Sequence, residues 1–203
     1  GHAMHGMLSE CTYASVSGTS VKRDFVELPS QVMENWCSEP LFLNTFAKHY
    51  KTGDTIPSEF IKKIKDSENY LSGYMCVRQL SLGLADIGFH SIQEPITGRI
   101  EDFERKHMVE VLPPVAGCNT STAFTHIFAG GYASGYYGYK WAEVLDADVF
   151  NVFKQNGIFD QKTAQRFRNE ILSKGGTLHP SILFRNFMGR DPDVESLMRR
   201  SGF

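Results

Sequence analysis

Apolar residues recur at three- and four-residue intervals along most of the chain, a spacing typical of helices that bury one face. The interval is clearest in the C-terminal third and is repeated over residues 31–50 and 70–87. In the C-terminal third the apolar positions on one helical face are Trp141, Leu145, Val149 and Val152. In the 31–50 segment they are Val32, Trp36, Leu43 and Phe46. The pattern predicts a mainly α-helical protein.

Several helix ends are marked by residues that favour caps. Asp160 precedes an apolar-periodic segment and is predicted to be its N-cap. Pro180 is predicted to begin the next helix, because proline fits the first helical turn. Asp191 followed by Pro192 predicts another N-cap with proline at the first helical position, and Gly202 is the expected end of that last helix.

The middle of the chain is less regular. Pro95, Gly98, Pro113 and Pro114 interrupt it, and residues 117–128 are rich in Thr and Ser. This last segment is expected to hold at most a small β element or an extended loop. Because no repeat, low-complexity segment or linker divides the sequence, we predict one mainly helical domain over residues 1–203.

Composition excludes several classes of function. Of the 203 residues, 41% are hydrophobic and 22% charged, and the net charge is −2, so no basic surface predicts nucleic acid as a partner. No apolar run has the ~18 residues of a membrane span. The cysteines lie too far apart in sequence for a CxxC zinc knuckle and are predicted to be free thiols in a reducing, cytoplasmic compartment. They are Cys11, Cys37, Cys76 and Cys118.

The first five residues contain two histidines three positions apart, His2 and His5. By themselves they are weak evidence of chemistry, and a solvated or tag-derived pair is an alternative interpretation. The segment 23–31, Arg-Asp-Phe-Val-Glu-Leu-Pro-Ser-Gln, adds a carboxylate at Glu27, 25 residues after His2. Histidine and carboxylate side chains are the usual protein ligands of catalytic zinc.

These residues resemble the zinc site of the thimet oligopeptidase family, which includes oligopeptidase A and bacterial dipeptidyl carboxypeptidases. In that family a helix carries His-Glu-Phe-Gly-His, a further His follows two residues later, and a Glu about 25 residues on completes the site. Gly1 and His2 match the end of the motif, His5 the further His, and Glu27 the distant Glu. The resemblance implies that His2 and Glu27 bind one Zn²⁺.

The same resemblance implies that part of the zinc motif precedes residue 1. The family's first motif His and the Glu after it, the general base, have no counterpart from Gly1 onward. We therefore expect this chain to be the helical C-terminal part of a zincin-type catalytic domain, without the N-terminal half, and to be inactive alone.

The neighbours of the metal residues have open interpretations. Asp24 is either an acceptor that orients a ligand imidazole or the N-cap of a helix. His5 is expected to be structural or to support a ligand from behind, and not to bind the metal. Glu34 is expected to be solvated or ion-paired, and Arg23 either pairs with a carboxylate near the site or lies on the surface.

Residues 126–139 form the second candidate region, with four glycines and four tyrosines. Glycine permits close approach of the backbone to a ligand, and tyrosine hydroxyls can donate to a developing oxyanion. The alternative is a flexible aromatic loop that leads into a helix at Tyr139. The family has a loop of this kind, and the resemblance assigns catalytic contacts to His126, Tyr132 and Tyr139. It assigns substrate contacts to Tyr136, Gly130 and Gly131.

The implied parent protein is a zinc metallopeptidase that hydrolyses short, unfolded peptides with a metal-activated water. Release of C-terminal dipeptides and internal cleavage both stay open. The alternative function is a non-catalytic helical binding protein derived from the family. Because the chain lacks the segment expected to cover its channel wall, we expect self-association through that face.

Overall fold

The computed structural model describes residues 1–109 and 115–203, which form helices joined by turns. The α-helices are α1 His2–Met7, α2 Leu28–Glu34, α3 Pro40–Phe46, α4 Ser58–Ser67, α5 Ser72–His90, α6 Ile100–His107, α7 Thr125–Phe128, α8 Gly138–Asn156, α9 Gln161–Phe167, α10 Pro180–Met188 and α11 Glu195–Arg200. Short 3₁₀ helices span Ala14–Val16, Asn35–Ser38 and Ser121–Ala123, and Arg168–Leu172 is a π-helix. The described residues contain no strand, only an isolated bridge between Lys48 and Thr55, so the mainly α prediction is confirmed.

The chain divides into two compact units. The first comprises Gly1–Tyr70 and Trp141–Phe203, and the second comprises Leu71–Lys140. The metal-ligand candidates belong to the first unit and the tyrosine loop to the second. The prediction of one domain over residues 1–203 stays a prediction.

The first unit packs around an apolar core in which α8 meets α2, α9 and α10. Its fully buried members include Leu28, Val32, Val149, Ile171, Leu183, Phe184 and Phe187. Trp36 closes one side, because its ring contacts Phe150 and Phe153 edge-on with centroids 4.7 and 5.0 Å apart. Its indole N–H donates to the carbonyl of Ile158 at 3.0 Å, so the polar end of this large side chain is also satisfied.

Two of the predicted helix starts are confirmed. The carboxylate of Asp160 accepts the backbone N–H of Thr163 at 2.8 Å, the capping bond expected at the start of α9. Pro180 is the first residue of α10. The helix is followed by Gly189, which adopts the left-handed conformation that glycine favours.

The helical pattern predicted over residues 31–50 is present but divided into separate helices. The segment contains α2, a 3₁₀ helix and α3, and the chain leaves helical geometry at Glu39, whose φ and ψ are −79° and 124°. Pro40 is the cause, because the proline ring disfavours helical backbone at the preceding residue. Proline then fits the first turn of α3 without losing a helical hydrogen bond.

The helix predicted to begin at Asp191 and Pro192 begins later, at Glu195. The Asp191 carboxylate accepts the Nε–H of Arg185 at 2.6 Å and is directed back toward α10. The carboxylate of Asp193 instead accepts the backbone N–H of Glu195 at 2.9 Å.

Residues 117–128 contain two helical turns, the 3₁₀ helix Ser121–Ala123 and α7. The sequence had predicted at most a small β element or an extended loop for this segment. The buried carboxylate of Glu104 accepts the backbone N–H groups of Thr120 and Ser121 and so fixes the start of the 3₁₀ helix. The predicted breaks at Pro113 and Pro114 lie outside the described residues.

All four cysteines are free, as predicted. None of the helices in the described ranges combines the length and the apolar character needed to cross a membrane.

Candidate functional site

Helix α1 lies directly against the backbone of α2, and Gly1 makes this contact possible. A Cβ at Gly1 would lie 2.0 Å from the carbonyl oxygen of Pro29 and 2.3 Å from the Cα of Ser30, far inside contact distance. Only glycine fits such an approach without moving a helix. The result is that His2, the next residue, lies beside Glu27 just ahead of α2.

The side chains of His2 and Glu27 form a pair suited to share a metal ion. Nε2 of His2 lies 3.2 Å from Oε2 of Glu27, and two ligands on a tetrahedral Zn²⁺ are roughly 3.3–3.5 Å apart. The donor set, one imidazole nitrogen and one carboxylate oxygen, also suits zinc. Among the described residues no cluster of three His, Cys, Asp or Glu side chains could hold a metal. Within these residues the candidate ligands are the pair His2 and Glu27.

The carboxylate of Glu27 is fixed in place by burial and by a hydrogen bond. It is 6% exposed, between the buried residues Phe25 and Leu28. The hydroxyl of Ser30 donates to its Oε2 at 2.7 Å, which fixes the carboxylate toward His2. Ser30 was not among the functional residues predicted from the sequence. The feature that could have identified it is its position three residues after Glu27, one helical turn away.

His5 is fully buried, and neither ring nitrogen has a hydrogen-bond partner among the described residues. Burial, assisted by the nearby His2, lowers the pKa of His5 from 6.5 to about 4, so the ring is neutral near pH 7. The ring therefore packs as a structural group at the inner side of α1.

Asp24 and Glu34 precede and follow Glu27 in the sequence. Asp24 does not cap α2, whose N-cap is Glu27, so the capping interpretation is wrong. Glu34 lies at the end of α2, and its pKa is raised by desolvation and then by the carboxylates of Asp146 and Glu27, while Arg200 acts in the opposite direction.

The second region gathers four aromatic side chains within the second unit. The ring centroid of His126 lies 5.9–6.3 Å from those of Tyr132, Tyr136 and Tyr139. Tyr132 and Tyr139 stack at 5.0 Å, and Tyr136 meets Tyr139 edge-on at 5.1 Å. The structure therefore brings together the four ring-bearing residues predicted for this site. All four retain contact with solvent.

The backbone of this loop follows a path that needs its glycines. A Cβ at Gly130 would lie 2.9 Å from the Cα of His126, and Gly131 has a φ of 79°. The loop then folds back so that the N–H of Tyr132 donates to the carbonyl of His126 at 3.0 Å. Gly130 and Gly131 thus turn the chain so that the imidazole and the first tyrosine face each other.

Two kinds of chemistry are consequently available. The His2 and Glu27 pair can bind a divalent cation through two ligands. The rings of His126, Tyr132 and Tyr139 can present hydrogen-bond donors to a carbonyl oxygen that acquires negative charge.

Comparison with known proteins identifies a peptidase family. The family described as Peptidase family M3 matches residues 1–203. Oligopeptidase A of Escherichia coli is 44% identical over 206 residues, and dipeptidyl carboxypeptidase of Escherichia coli is 34% identical over the same length. Organellar oligopeptidase A of Arabidopsis thaliana is 43% identical over 210 residues. Each match covers 100% of this chain, which spans 30%, 30% and 26% of these relatives respectively.

Proposed function

The chain belongs to peptidase family M3, and we propose that it forms part of a zinc metallopeptidase that hydrolyses short peptides with a metal-activated water. The observation that carries this proposal is the 3.2 Å pair of His2 Nε2 and Glu27 Oε2, whose spacing suits two ligands of one zinc ion. The relatives named oligopeptidase A and dipeptidyl carboxypeptidase support peptides as the substrate class.

In this mechanism His2 and Glu27 would hold the metal, His2 through Nε2 and Glu27 through Oε2. Zinc, when bound, would supply Lewis acidity that activates water and polarises a carbonyl. The Ser30 hydroxyl keeps the Glu27 carboxylate in its binding orientation. A third protein ligand and the general base would come from the residues that precede the chain in the family motif.

The tyrosine loop would act on the substrate carbonyl. We assign hydrogen-bond donation in the transition state to Tyr132, Tyr139 and His126, and contact with the peptide to Tyr136, Gly130 and Gly131. The stacked rings restrict the tyrosine side chains before substrate arrives, which reduces the entropy lost in reaching the reactive arrangement. Donors fixed in advance stabilise developing charge at little reorganisation cost.

The site of action is proposed to be the cytoplasm. Four free cysteines suit a reducing compartment. One Arabidopsis thaliana relative, 41% identical, is named probable cytosolic oligopeptidase A.

A non-catalytic role is the second candidate for the 203-residue chain by itself. It is favoured by the absence of a three-ligand metal cluster from the described ranges. In that case the helices and the tyrosine loop would bind a peptide without cleaving it.

A peptide-cleavage assay on the intact protein that contains this chain tests the proposal. Wild type should cleave quenched fluorescent peptides, lose activity with a chelator and regain it with zinc. Glu27→Gln should reduce activity by more than about 100-fold, because removing a metal ligand exceeds the cost of removing a supporting group. Glu34→Gln, which makes the same substitution at the other end of α2, should retain activity. Full activity of Glu27→Gln, or chelator-resistant cleavage by wild type, would reject the zinc mechanism.

A further inference from the structure

We propose that Asp86 is a positioning residue that holds the tyrosine loop in its reactive shape; this inference rests on the proposed function of that loop. Asp86 lies in α5, and its side chain is 0% exposed. Buried carboxylates are rare unless they are paired or hydrogen-bonded. What Asp86 contacts therefore indicates why a charge is present in the interior of the second unit.

Both carboxylate oxygens of Asp86 accept backbone N–H groups of the loop. Ser134 donates to Oδ1 and Tyr136 donates to Oδ2, each at 2.9 Å. Each oxygen thus binds one amide, and the two amides lie in the stretch between Tyr132 and Tyr139. Bonds to an ionised acceptor are shorter and stronger than those between neutral groups. The carboxylate therefore fixes the loop backbone at two points.

The backbone at Ser134 explains why such a strong acceptor is needed. Its φ is 55°, the left-handed region that a residue with a Cβ seldom occupies. This conformation persists only where surrounding contacts impose it. The bond from the Ser134 N–H to Asp86 is such a contact, and it directs the following residues so that Tyr136 and Tyr139 can meet.

A histidine of the same helix lies beside the carboxylate. Nδ1 of His90, one helical turn further on, is hydrogen-bonded with the backbone carbonyl oxygen of Asp86 at 2.8 Å and also lies 2.8 Å from its Oδ1. The neighbouring apolar residues Ala85 and Phe89 are buried in the second unit's core. Tyr132 and Tyr136 pack against the same core. Asp86 thus joins a rigid helix to the loop, so the positions of the tyrosine hydroxyls depend on a residue that makes no contact with substrate.

Asp86→Asn in the intact protein is the test, because the amide has the same shape but only one acceptor oxygen. Its NH₂ group would face one of the two loop N–H groups, donor against donor. We expect hydrogen exchange at the amides of Ser134 and Tyr136, resolved to single residues, to accelerate by at least about 10-fold. We expect kcat for peptide cleavage to fall roughly 10- to 100-fold, with KM changing less than about threefold, because small misplacements of catalytic groups reduce the rate steeply.

Glu104→Gln provides the matched control. This buried carboxylate of the same unit also accepts two backbone N–H groups, from Thr120 and Ser121 at 2.9 and 2.6 Å. Its variant should accelerate exchange at those two amides and leave kcat within about threefold. If Asp86→Asn does not fold, Asp86→Glu keeps both acceptors and displaces the carboxylate by one methylene, and it should show the same fall in kcat.

Hydrogen exchange and peptide-cleavage kinetics test the role of Asp86 and the proposed peptidase function separately. Unchanged exchange at Ser134 and Tyr136 in a folded Asp86 variant would overturn the inference. An equal fall in kcat in the Asp86 and Glu104 variants would also overturn it, since both would then reflect general loosening. If wild type cleaves no peptide, the proposed function fails, and exchange alone still decides whether Asp86 holds the loop.

Discussion

The metal pair and the tyrosine loop belong to different compact units and are built in opposite ways. His2 and Glu27 meet because the backbone at Gly1 lies directly against that of Pro29 and Ser30, and they are the pair proposed to bind the metal. The rings of the loop all come from residues 126–139, and their backbone is fixed within the same unit by Asp86. The comparison teaches that the proposed metal site rests on a single contact between two side chains, whereas the loop is fixed at several points of its backbone.

The largest expected effect is the loss of peptidase activity in the isolated chain. The 203-residue chain, purified alone and supplied with zinc, should show no appreciable peptide hydrolysis. General acid and base groups typically contribute ~10²–10⁴-fold, and residues 1–109 and 115–203 contain no group of three His, Cys, Asp or Glu side chains that could hold a metal. A quenched fluorescent peptide assay measures this. Chelator-sensitive turnover by the pure chain would show that its own residues complete the site.

The same sample tests the predicted self-association of the chain. Light scattering measures its molecular mass in solution.

The next effect tests the loop in the intact protein. Tyr139→Phe and Tyr132→Phe each remove one hydroxyl and keep the ring. Loss of an oxyanion donor costs roughly 2.7–4 kcal/mol, or about 10²–10³ in kcat. The change should be mainly in kcat and not in KM, because the bond strengthens in the transition state. If both variants stay within about twofold of wild type, the tyrosines only pack the loop.

The pair of His2 and Glu27 could be predicted from the sequence, whereas the residue proposed to support the loop could not. Glu27 was identifiable because its segment, 25 residues after His2, resembles the zinc-site segment of a known family. Asp86 is a single charge inside an apolar helical run, and its partners lie 48 and 50 residues away. No local pattern encodes such a bond. The helical pattern over residues 31–50 is divided for a local reason, because Pro40 disfavours helical backbone at Glu39.

A smaller effect concerns pH and the inner face of α1. His5 has a pKa of about 4 when folded and 6.5 when unfolded, so the unfolded chain binds more protons between these values. The free energy of unfolding should therefore fall as pH decreases from 6.5 to 4, by about 3 kcal/mol at most, and then level off for this group. Urea unfolding of metal-free protein, with His5→Phe as comparison, measures it. Equal pH dependence in both proteins would contradict the shifted pKa.

The smallest expected effect on kcat is that of Asp148, a buried carboxylate of the first unit that serves as a comparison for Asp86. Asp148, 0% exposed, accepts both guanidinium N–H groups of Arg190 at 2.7 Å and the hydroxyl of Ser196 at 3.0 Å. Asp148→Asn should lower the free energy of unfolding by roughly 1.5–3 kcal/mol, the value of bonds to a charged group. The kcat of the intact protein should not change at a temperature where the variant stays folded. A fall in kcat comparable with that of Asp86→Asn would remove the distinction.

The zinc content of the intact protein tests the central claim most directly, because it separates the two regions by chemistry. Metal analysis after dialysis should find about one zinc per chain in wild type and in Tyr139→Phe, although the latter has lost most of its kcat. Glu27→Gln should contain much less than one zinc per chain and should be inactive. Stoichiometric zinc in Glu27→Gln, or loss of zinc in Tyr139→Phe, would contradict the account.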